Sequence, residues 1–69
     1  MIEVFRTNVA EPRHAEQLVS MLLEHFPGGK INFDLQDCDR ILRVDKQGLI
    51  PEKVVHLLRE NGYECWVLD

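Results

Sequence analysis

The side chains able to do chemistry in this chain are few and scattered: two cysteines, three histidines and twelve carboxylates. A thiol attacks or binds a soft metal only as thiolate. Cys38 lies between Asp37 and Asp39, whose charges oppose that ionisation, so an exposed and unactivated thiol is expected there. Cys65 alternates with Val67 and points with it toward a core, where a cysteine behaves as a small apolar residue. The pair is not a CxxC and is too small a set for a disulfide framework, so both thiols are expected to be free. His25 closes a helical stretch, where an imidazolium complements the last carbonyls, and His56 stands between Glu52 and Glu60 at four-residue spacing on a wet face. No Ser-His-Asp or Cys-His arrangement, no phosphate-cradling glycine loop and no grouped acids are present, so catalysis is not expected.

The 69 residues make one domain, 1–69, with a net charge of −4. At this length folding buries only roughly 60% of the surface of the unfolded chain, so stability is expected to be modest. The eight basic residues are spaced singly from Arg6 to Arg59 and gather on no face, which argues against nucleic acid as a partner. No apolar run approaches the ~20 residues needed to span a bilayer, and the chain opens with Met-Ile-Glu-Val-Phe-Arg, unlike a secretory leader. A cytoplasmic protein with no membrane partner is the expectation, and a reducing compartment suits its thiols.

The elements that must position these residues are well marked. Ile2 to Thr7 reads as a half-buried strand, with Ile2 and Val4 toward the core and Phe5 away from it. From Pro12 to His25 a stripe of Ala15, Leu18, Val19 and Leu22 predicts an amphipathic helix, closed by Pro27-Gly28-Gly29. Ile31, Phe33 and Leu35 alternate with polar residues, Asp37-Cys38-Asp39-Arg40 reverses the chain, and Ile41 to Asp45 returns with Leu42 and Val44 inward. Pro51 to Tyr63 is the clearest segment. Proline suits a first helical turn, glycine at 62 suits a left-handed stop, and Val54, Val55, Leu57 and Leu58 form the buried stripe. Glu64 to Leu68 is a last strand with Trp66 and Leu68 outward.

Two right-handed crossovers and one hairpin assemble these elements into an α+β ferredoxin-like βαββαβ sandwich. Its four-stranded antiparallel sheet has order 4-1-3-2 and carries both helices on one face. Chain direction then puts the exit of the first strand, the start of the first helix, the hairpin turn and the Gly62-Tyr63 turn at one end.

This order, and above all IPEKVVHLLRENGYE, resembles the heavy-metal-associated domains, the copper-chaperone-like modules that also occur in metal-transporting ATPases. The resemblance covers almost the whole chain by element order, though the first helix and the NFDLQDCDRILRV hairpin are similar in pattern only. It implies a metal site in the loop before the first helix, where the family carries CxxC. Here that loop reads Glu11-Pro12-Arg13-His14, with no thiol, and Glu11 and His14 are poorly matched to Cu(I). The metal candidates are therefore Glu11 and His14 with help from Cys38 or Cys65. Strand spacing of about 4.8 Å separates those two cysteines by roughly 10 Å or more, so they are not expected to share an ion.

The face of the sheet away from the helices is the other candidate site. Phe5, Ile41, Trp66 and Leu68 are expected to form an apolar patch there, of the kind that marks interaction surfaces. The leading expectation is a small non-catalytic module that lacks the CxxC and uses this face for a protein partner or for homo-oligomerisation, with no cofactor. The alternative is a metal-ion-binding or metal-trafficking protein holding a transition metal ion at the Glu11 to His14 loop.

Overall fold

Proline and glycine set the helix ends. In the computed structural model, which describes residues 1–68, helix α1 (Pro12–His25) and helix α2 (Pro51–Glu60) both begin at a proline, the residue whose missing N–H costs nothing in a first turn. The end of α2 is a complete Schellman motif. Gly62 takes φ +89°, its N–H donates to the carbonyl of Arg59 at 3.0 Å, and the Tyr63 N–H donates to that of Leu58 at 3.1 Å. Nothing lies within 4 Å of a Cβ added at Gly62, so the cost of Gly62→Ala is conformational alone. Chemical denaturation is expected to show a loss of about 1 kcal/mol; an unchanged midpoint would contradict the left-handed stop.

The strands are β1 (Ile2–Thr7), β2 (Lys30–Asp34), β3 (Ile41–Asp45) and β4 (Cys65–Leu68). They form one antiparallel sheet of order β2-β3-β1-β4, the order expected from the sequence. The β2–β3 turn is held by the Asp37 carboxylate, which accepts from the Asp39 N–H at 2.9 Å, and by a bond of 3.0 Å from the Arg40 N–H to the Asp37 carbonyl. Arg40 leaves that turn at φ +47°, a left-handed conformation that a side chain rarely adopts.

The core lies between the helices and one face of the sheet. Leu22 of α1 and Val54 and Leu58 of α2 pack with Phe5, Leu42, Val44 and Cys65, so both helices cover the same side. A second cluster of Val9, Ala15 and Leu18 continues it toward the start of α1.

Two residues expected in the exposed apolar patch of the open face do not contribute to it. Phe5 is fully buried in the core, opposite Leu42 on one side and Val67 on the other. The parity of β1 is therefore the reverse of the expected one: Phe5 and Thr7 face the helices, while Ile2, Val4 and Arg6 face away. The reason is volume. β1 is a central strand, and its aromatic side chain fills the space beneath both helices, which the smaller Val4 does not. Ile41 keeps its expected side by alternation with Leu42 but is only 7% exposed, so it offers no surface to a partner.

Candidate functional site

Three contacts bring the loops together at one end of the sheet, as chain direction requires. The Thr7 N–H donates to the Asp39 carbonyl at 3.1 Å, tying the end of β1 to the hairpin turn. The Asn8 carboxamide oxygen accepts from the Glu64 N–H at 2.8 Å, tying the same strand exit to the start of β4. The His14 and Tyr63 rings meet edge-on with centroids 6.3 Å apart. Buried Thr7 adds a clasp: its hydroxyl donates to the Arg40 carbonyl at 2.6 Å and accepts from the Val9 N–H at 3.2 Å.

The expected metal ligands are near this end but are not gathered into one set. Among the described residues, the one group of three or more histidine, cysteine or acidic side chains with ligand atoms within 4.8 Å of one another is Asp37, Cys38 and Asp39. Of the four candidates it contains only Cys38; Glu11, His14 and Cys65 are outside it. The spacing Asp-Cys-Asp in a turn was the available signal, and the Asx-type bond from Asp37 to Asp39 accounts for the close approach without an ion.

Cys65 is fully buried, and burial pushes its thiol up from 9.0 to about 11 against the smaller opposing pull of the Arg59 charge. It is a core residue and not a ready thiolate. Because the folded state holds the proton more tightly than the unfolded chain does, this contribution to stability is fully present below pH 9 and is lost as pH rises to about 11. Wild type is expected to lose on the order of 2 kcal/mol more than Cys65→Ala across that window in urea titrations. Parallel pH profiles would contradict a buried neutral thiol.

On the open face, Trp66 is 39% exposed and carries the Arg6 guanidinium 4.6 Å from its ring centroid. Arg6 stands opposite Trp66, and Val4 opposite Leu68, with Ile2 at 59% exposure at the end of β1. These residues make an apolar strip over β1 and β4. Apart from buried Ile41, the β3 and β2 half of the same face is polar. There Arg43 bridges Asp34 at 3.7 Å and donates to the Asn32 carboxamide at 3.4 Å, and the N-terminal ammonium meets Asp45 at 3.3 Å. Trp66 and Leu68 thus stand where the sequence put them, whereas Ile2 and Val4 are the residues that sequence reasoning assigned to the core.

No helix among the described residues is long and apolar enough to cross a membrane. Comparison with protein-family models, with curated proteins and with solved structures finds no match for this chain.

Proposed function

We propose that this chain is a small non-catalytic protein-interaction module with a ferredoxin-like, heavy-metal-associated-like fold that lacks the CxxC, acting in the cytoplasm without a cofactor. The observation that carries this reading is the strip of Ile2, Val4, Trp66 and Leu68 on the helix-free face, with Arg6 stacked on the indole. A tryptophan and an arginine beside aliphatic neighbours are the residue types that anchor protein interfaces. The strip docks a protein partner or a second copy, and nucleic acid and membrane are not its ligands. The test is the double variant Trp66→Ser/Leu68→Ser, compared with wild type by sedimentation and as bait in a lysate of the source cells. Circular dichroism is expected to be unchanged, and association through this face, read as capture of a lysate protein or as an assembly larger in wild type than in the variant, is expected to be lost. Identical behaviour of the two proteins in both assays would overturn the reading.

The rival reading, a metal-ion-binding or metal-trafficking protein, is favoured by the Asp37, Cys38 and Asp39 cluster. One thiol between two carboxylates is a poor match for Cu(I), so competition with a strong Cu(I) chelator is expected to leave the metal with the chelator. Retention of one equivalent, lost in Cys38→Ser, would move the function to metal handling.

A further inference from the structure

The exposed edge of β2 carries a self-complementary sequence. β2 is an edge strand, reading Lys30-Ile31-Asn32-Phe33-Asp34. Laid antiparallel against a second copy about a two-fold axis through Asn32, it places Lys30 opposite the partner's Asp34 and Asp34 opposite the partner's Lys30. Ile31 then meets the partner's Phe33, and Asn32 meets the partner's Asn32. Directly opposed residues of an antiparallel pair lie on the same face. Both charge pairs therefore fall on the open face and both apolar pairs on the helix face, where Ile31 and Phe33 are only half-buried in the single chain.

The surroundings of this edge fit the same partner. Between α1 and β2 runs a groove of about 500 Å³ lined by Ala15, Val19, Ile31, Phe33 and Leu35, with exposed Glu16 at its rim. Leu23, 40% exposed, follows Glu16 and Val19 on the same stripe of α1. A two-fold axis normal to the sheet keeps the helices of both copies on one side, so a second α1 approaches this stripe. The other edge is different. β4 has four described residues, and the Arg59 guanidinium donates to the Cys65 carbonyl at 3.1 Å. Charged side chains of this sort are a common way to blunt an edge strand. Lys30 makes no ion pair among the described residues, and Asp34, bridged to Arg43 at 3.7 Å, keeps a side chain 41% exposed toward a second partner.

We propose that two copies of this chain dimerise through β2, forming a continuous eight-stranded antiparallel sheet whose two-fold axis passes through Asn32. This interface is separate from the Trp66 strip, which stays open on both halves of the dimer.

Two measurements test it. In a Cys38→Ser background, Asn32→Cys puts two thiols on the axis with Cα atoms about 4.5–5.5 Å apart, within disulfide reach. Mild oxidation is expected to give a covalent dimer rapidly, whereas Gln47→Cys in the same background, an exposed loop position, gives one only at the rate of random collision. The second measurement is a charge swap read by sedimentation. Lys30→Asp is expected to weaken the dimer by about tenfold, and Lys30→Asp with Asp34→Lys to restore it, because the pairs are then complementary again. Both sites are at the surface edge, and circular dichroism verifies the fold. A wild type that stays monomeric at every concentration, equal cross-linking at 32 and 47, or a swap that fails to restore the dimer would each overturn the proposal. Repeating the cross-link in Trp66→Ser/Leu68→Ser separates the two surfaces, since the β2 dimer is expected to persist there.

Discussion

Phe5→Ala is expected to remove about 3–5 kcal/mol of stability. A domain of this length has in total a few to about ten kcal/mol, so the variant should be partly unfolded at room temperature. Phe5 is fully buried between Leu42 and Val67 on the sheet and packs in the cluster that contains Leu22, Val54 and Leu58. Its removal opens a cavity that neighbours on four elements cannot close together. Trp66→Ala, on the opposite face, is expected to cost about 1 kcal/mol or less. Urea denaturation followed by circular dichroism compares the two variants. A Phe5→Ala that costs no more than Trp66→Ala would restore the parity that the sequence alone implied for β1.

Thr7→Val is expected to cost about 2 kcal/mol, although it changes the side chain by almost nothing in shape. The hydroxyl is the sole polar feature at that position, and it both donates to the Arg40 carbonyl and accepts from the Val9 N–H. Valine leaves both backbone groups without their partner in a setting where Thr7 is 5% exposed. Thr7→Ser keeps the hydroxyl and is expected to recover a large part of the loss. Hydrogen exchange at the Val9 amide is the local readout: faster in valine, near wild type in serine. Equal exchange in all three proteins would mean that the clasp does not hold the loop.

The contrast between these residues shows what a sequence can express. The bounds of α2 were readable because proline and glycine act on their own backbone, and the Schellman bonds of Gly62 and Tyr63 need no distant partner. The order of the strands was readable because two crossovers and one hairpin leave few arrangements. The side of β1 was not. Ile2 and Val4 are apolar on one parity and Phe5 on the other, so the choice was made by the strands and helices that pack around it. Trp66 was placed correctly because Cys65 fixes the inward parity of β4. The metal candidates failed to converge for the opposite reason. Glu11 and His14, Cys38, and Cys65 come from three separate segments, and closeness at one end of a sheet does not bring ligand atoms within bonding distance of one another.

The strand order has a consequence for how the molecule assembles in time. β1 is made first, yet both of its neighbours, β3 and β4, come from the second half of the chain. Until Ile41–Asp45 has been synthesised, the opening strand has no ladder to join, and the first pairing open to the chain is the β2–β3 hairpin. Joining β1 to β3 spans a long stretch of chain, at a cost in loop-closure entropy that slows the search. β1 then keeps one raw edge until Cys65–Leu68 arrives, so a nascent or truncated chain lacking those four residues leaves the Val4 to Thr7 stretch without its β4 partner and open to any other strand nearby.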